Sequence, residues 1–164
     1  MLRSRAKCHI AAYDTRDCRR GLSKSRTGEK AQVKMQIEAY LRILSTEATI
    51  RSLHNETKVA DASIKETKAR RGTVADDVWW NWCTQRVRID SDRVDEGLRA
   101  LLLAYKPIFP IVKRHQGPET DIYLEVITRY EGGEEPRGLY LSAETVQLLS
   151  EMGCAFDNDV YSDH

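Results

Sequence analysis

Three segments of this chain alternate apolar and polar residues with a two-residue period, and the segments between them carry the 3.6-residue period of helices. That interleaving most limits the available folds, because each strand has one face to bury and each helix one stripe. In QIEAYLRIL, Ile37, Ala39, Leu41 and Ile43 point one way, and Gln36, Glu38, Tyr40 and Arg42 the other. The second segment, DVWWNWCTQRVRI, is rich in aromatic and β-branched residues and reads as one strand. The third, TDIYLEVITRY, sets Ile122, Leu124, Val126 and Thr128 on one face.

Helical signals fall between and after these strands. Ser45 is placed to cap a short helix over TEATIRSLH, with Ile50 and Leu53 inward. Asp90 or Ser91 is placed to cap the longest helix, whose Val94, Leu98, Leu101, Leu102 and Tyr105 follow the helical period until Pro107 stops it. Ile108 to His115 adds a further turn or two. GLYL resumes extended structure, Ser142 caps AETVQLLSEM, Gly153 closes that helix, and AFDNDVY returns as a strand. The predicted fold class is α+β, with one mostly antiparallel sheet of four to six strands, helices on one face and a C-terminal strand–helix–strand unit. The long stretch NETKVADASIKETKARRGT, Asn55 to Thr73, is polar and reads as an excursion holding at most a short strand.

Charge is unevenly divided along the 164 residues. Residues 1–34 hold ten Lys or Arg and three acids, a balance of +7, and the remaining sixteen basic and twenty-two acidic residues give −6. The first 34 residues lack the apolar content to offset the entropy of ordering and read as a basic, disordered arm. MQIEAYLRIL would itself make a natural start at Met35, so the arm also reads as upstream sequence, and residues 35–164 form the single domain. No apolar run is long enough to span a membrane. The domain's two cysteines, Cys83 and Cys154, suit a reducing cytoplasm.

The order of these elements resembles a bacterial family known as domain of unknown function 4279. The likeness covers roughly Met35 to Tyr161 and rests on EAYLRI, on ARRG, on the tryptophan-bearing strand and above all on LSAETVQLLSEMGCAFDNDVY. Cys154 and Asn158 stand where that pattern would place something more aliphatic. The resemblance implies a fold and a bacterial origin, and brings no activity and no catalytic residues.

Chemistry has few footholds here. Asp157 and Asp159 leave one face of a strand together and are the weak candidates for a hard cation or a shared proton. The competing reading is an edge strand whose acids discourage pairing. Asp163 and His164 are the neighbouring donors at the chain end, and the four histidines show no ligand spacing. Cys83 and Cys154 sit in apolar settings that suit inert packing. GLSKSRTGEK is not a phosphate loop, since six residues separate its glycines where four are required. No catalytic residue, resident metal or cofactor is implied.

The tryptophans are more informative. Trp80 and Trp82 share the apolar face of their strand, which projects Trp79 onto the opposite one. There Trp79 would join Tyr40, Arg42, Tyr123, Glu125 and Arg129, the aromatic and arginine composition of binding hot spots. Cover by the Asn55–Thr73 excursion and homodimerisation are the competing uses of that face. The leading reading is a non-catalytic protein-binding domain with a basic protein partner, its closest functional analogy an immunity-type inhibitor of a toxin. The alternatives are a metal-binding or hydrolytic enzyme using Asp157 and Asp159, and nucleic-acid binding through the basic arm. A domain at −6 argues against the last, because it repels phosphate.

Overall fold

A computed structural model describes residues 34–67, 78–131 and 138–162. The basic arm, the ARRG segment, most of EGGEEPRG, and Asp163 and His164 lie outside the described residues. The elements run β1 Lys34–Ser45, α1 Glu47–Thr57, β2 Ser63–Thr67, β3 Trp79–Cys83, β4 Val87–Ile89, α2 Val94–Tyr105, a 3-10 turn Lys106–Ile108, α3 Phe109–His115, β5 Asp121–Glu131, α4 Ala143–Met152 and β6 Ala155–Ser162.

The strands form one sheet in the order β2-β3-β1-β5-β6, with β4 sharing the β3 side of β1. All pairs are antiparallel except β5 with β6, which α4 connects as a parallel pair. The fold is therefore α+β with a mostly antiparallel, mixed sheet. Ile37, Ala39, Leu41 and Ile43 of β1 are sealed against Ile50 and Leu53 of α1, Leu98 and Leu102 of α2, Val112 of α3 and Met152 of α4. Each fully buried Ile, Leu, Val or Met side chain contributes about 1.5–3 kcal/mol by leaving water. The helices thus join one core on one face of the sheet.

The segment DVWWNWCTQRVRI is two strands and not one. Arg42 opposes Cys83, whereas Ala39 opposes Val87, so the second strand has one residue more than β1 over this stretch. This is a β-bulge at Thr84–Arg86. Thr84 anchors it: its amide donates to the Leu41 carbonyl at 3.0 Å, and its hydroxyl accepts from the Leu41 amide at 3.0 Å. An extra residue reverses which side chains face the core. Trp80 and Trp82 face the helices before the bulge, and Ile89 does so after it, leaving Arg86 and Arg88 on the opposite face.

Three local expectations are corrected. Thr46, not Ser45, caps α1, its hydroxyl accepting from the Thr49 amide, while Ser45 is the buried last residue of β1 and bonds the Thr120 hydroxyl. Neither Asp90 nor Ser91 caps α2: the Asp90 carboxylate accepts from the Asp92 amide in a turn, and Arg93 occupies the cap position. GLYL is not a strand; Leu139 and Leu141 pack on the core without joining the ladder. Ser142 does cap α4, and Gly153 ends it at φ +71°, a left-handed conformation that favours glycine. Asp95 of α2 accepts from the Ser142 amide at 2.8 Å and so joins two helix starts. Burial acts to raise its pKa, but that bond and the Thr145 and Ser142 hydroxyls outweigh it and hold the carboxyl below its usual range.

Close approach sets the α2–β4 contact. A Cβ on Gly97 would stand 2.7 Å from Cγ2 of Ile89, so only glycine lets the helix sit this near the strand.

Candidate recognition face

Because β1 and β5 pair in antiparallel register, the outward residues of each fall side by side. Tyr40 opposes Glu125, and Arg42 opposes Tyr123. Arg42 reaches Oε1 of Glu125 through Nη1 at 2.6 Å and donates from Nε to Oδ1 of Asn81 at 3.0 Å. The Glu125 side chain is only 3% exposed, against 31% for Arg42. The carboxylate is therefore buried under the guanidinium that neutralises it. Burial opposes the charge on Arg42, but the bond and attraction to Glu125 prevail and raise its pKa. Burial, reinforced by Glu125, also pushes the Tyr40 phenol up against the lowering effect of Arg86, so the phenol stays protonated at neutral pH.

A second layer lies nearer solvent. The Arg86 guanidinium stacks over the Tyr40 ring at 5.1 Å and reaches Glu38 at 3.7 Å. Glu38 also pairs with Arg129 at 3.3 Å, and Arg129 in turn stacks over Tyr161 of β6 at 5.8 Å. Tyr40, Arg86, Glu38, Arg129 and Tyr161 thus form one continuous run across three strands and the bulge beside them.

All six sequence-derived residues fall on the face opposite the helices, but they do not form one patch. Tyr40, Arg42, Tyr123 and Glu125 are contiguous, and Arg129 joins them through Glu38. Trp79 lies four residues from Cys83, the partner of Arg42, and so about 13 Å away along the strand at about 3.3 Å per residue. It marks a separate corner beside Thr67. Glu125 organises the face from beneath and presents almost no surface.

The sequence reading missed Arg86 and Tyr161. The signal for Arg86 was a phase slip, because bulky residues occupy even positions at Trp80 and Trp82 but odd ones at Val87 and Ile89. The signal for Tyr161 was its shared parity with Asp157 and Asp159. The described part of the Asn55–Thr73 excursion does not cover this face: β2 extends the sheet sideways, and Val59, Ala62 and Ile64 pack towards the core.

Asp157 and Asp159 lie exposed on β6, an edge strand. Among the described residues, no group of three His, Cys, Asp or Glu could hold a metal ion. Burial raises both thiols, Cys154 to about 12, so neither is a thiolate at neutral pH. Cys154 packs beside the core, and Asn158 accepts a 2.9 Å bond from the buried Thr128 hydroxyl, which accounts for polar residues where aliphatic ones were expected. A groove of about 510 Å³ between β4 and α2 is lined chiefly by Val87, Ile89, Gly97, Ala100, Leu101 and Ala104, with the Arg93–Glu96 ion pair at its rim. Among the described residues, no helix is long and apolar enough to cross a membrane.

No curated protein matches the chain. Among solved structures, it is similar to the apo form of CPII from Thiomonas intermedia K12, a nitrogen regulatory PII-like protein. That similarity has 14% identity and a TM-score of 0.26 over 60% of this chain and 98% of the other, and at that level it carries no argument. A family model matches residues 34–163, a span that includes every described residue, and the chain belongs to the family called domain of unknown function (DUF4279).

Proposed function

We propose that this protein is a non-catalytic binding domain that holds a protein partner on the helix-free face of its sheet. The observation that carries the reading is the run from Tyr40 to Tyr161, in which two arginines are held on aromatic rings above a buried ion pair. The Arg86 and Arg129 side chains remain 53% and 45% exposed, and Tyr161 is 52% exposed, so the run is available to a partner. Stacking restrains the long guanidinium arms before contact, which lowers the entropy lost on binding. The −6 balance of residues 35–164 favours a basic partner and would steer its approach. Unpaired thiols at Cys83 and Cys154 suit a reducing compartment such as a bacterial cytoplasm. An immunity-type inhibitor of a toxin is the finer form of this reading, carried by analogy with small acidic α+β inhibitors.

The test is capture of a partner from host lysate, identified by mass spectrometry, with Arg86→Ala and Arg129→Ala combined. The expected result is at least tenfold weaker capture, since arginines on such faces are frequent hot spots. The melting temperature should move by no more than about 2 °C, because exposed ion pairs are worth only about 0–1 kcal/mol. Undiminished capture by the double variant contradicts the reading.

A further inference from the structure

The sheet has an end as well as a face. β6 is eight residues long and pairs only with β5; among the described residues no strand pairs with its other edge. Alternate backbone N–H and C=O groups of such a strand point outward with no ladder partner. Its side chains divide cleanly. Asp157, Asp159 and Tyr161 stand on the open face, in line with Glu125, Ile127 and Arg129, while Phe156, Asn158 and Val160 stand on the helix side. Asp157 and Asp159 are exposed, and neither makes an ion pair among the described residues. Val160 is 44% exposed beside them.

We propose that β6 is a docking edge for an extended segment of a basic partner protein, which adds to the sheet as a further strand. The segment would carry Lys or Arg at alternate positions and apolar residues between them. The spacing supplies the argument: Asp157 and Asp159 are two residues apart, about 7 Å, which is the interval between same-face residues of any paired strand. Lysines or arginines at that interval meet both carboxylates, and the intervening apolar side chains meet Phe156 and Val160. Backbone pairing supplies affinity, and the alternating side chains supply selectivity.

A second copy of this chain fits the edge badly. Antiparallel pairing of β6 with its own copy, open faces together, sets Asp157 and Asp159 of each against those of the other, four carboxylates in one cluster. The inference names the docking mode of the partner proposed above and rests on that reading. Tyr161 and its stacked Arg129 connect the edge to the face.

The probe is a labelled octapeptide of alternating lysine and valine, titrated into the full chain at low ionic strength. Its control is the same composition in two blocks, four lysines followed by four valines. The alternating peptide is expected to bind at least tenfold tighter than the block peptide. The isosteric pair Asp157→Asn and Asp159→Asn should remove at least tenfold of that affinity with the melt unchanged. Methylating alternate backbone nitrogens of the peptide is expected to abolish binding in one of the two possible sets and spare it in the other. Equal binding of the block peptide overturns the proposal, as does indifference to both methylated sets. So does a dimer in sedimentation that excludes the peptide, which would assign the edge to a second copy. If the peptide fails while capture from lysate still depends on Arg86 and Arg129, the edge inference falls and the face reading stands.

Discussion

Replacing Arg42 by methionine is expected to destabilise the fold by about 2–4 kcal/mol, although Arg42 lies outside the hydrophobic core. The reason is the carboxylate beneath it. Glu125 sits mid-strand on β5, between β1 and β6, with its side chain almost wholly withdrawn from water. The Arg42 guanidinium lies 2.6 Å from it and is held in place from the other side by Asn81. Removing a buried ion's partner exposes the full desolvation cost of the one that remains, whereas removing both leaves packing. The partial exposure of Arg42 puts the expected loss below that of a fully buried pair. Urea denaturation of Arg42→Met, Glu125→Leu and the double variant separates these terms. The double variant is expected to recover to within about 1 kcal/mol of the parent protein. Additive losses, or a neutral Arg42→Met, would show that the pair does not support the face.

A larger loss is expected from Trp82→Ala, about 3–5 kcal/mol, against no more than about 1 kcal/mol for Trp79→Ala. Trp82 has no exposed surface and opposes Ile43 of β1 on one side and Ile64 of β2 on the other. Truncating it forfeits both the transfer of a large ring and the contacts of everything around the void. Its indole N–H has no hydrogen-bond partner among the described residues, so the loss is a packing loss, and Trp82→Phe should be milder than Trp82→Ala. Trp79, one side of the strand away, is only partly buried. Trp80 stands between the two, half-buried with Arg51 over its ring at 5.1 Å. Equivalent losses for Trp79 and Trp82 would contradict the assignment of faces.

That assignment was legible from alternation alone, because a period of two decides the face of every residue once one strand's buried side is known. The same holds for α4, where Ser142 and Gly153 act as start and stop through strictly local bonds. What escaped depended on neighbours. Ser45 and Thr46 are adjacent hydroxyl residues with equal capping chemistry, and only the length of β1 decides between them. The bulge at Thr84–Arg86 needs β1 as a ruler before an extra residue can be counted. Leu139 and Leu141 alternate like a strand but are satisfied by packing without a ladder. Of the six face residues, the sequence could assign a side but not a depth. Glu125 is covered because Arg42, held on its other side by Asn81, reaches across to it, a consequence of register between three strands.

The most direct measurement of the central claim, that the helix-free face receives a protein, is site-specific photo-cross-linking in the host cell. A benzophenone amino acid would replace Arg86 on that face, or Val146, which is 51% exposed on α4. The expected result is a discrete adduct with a basic protein from position 86 and none from position 146. An adduct from position 146 alone would contradict the account.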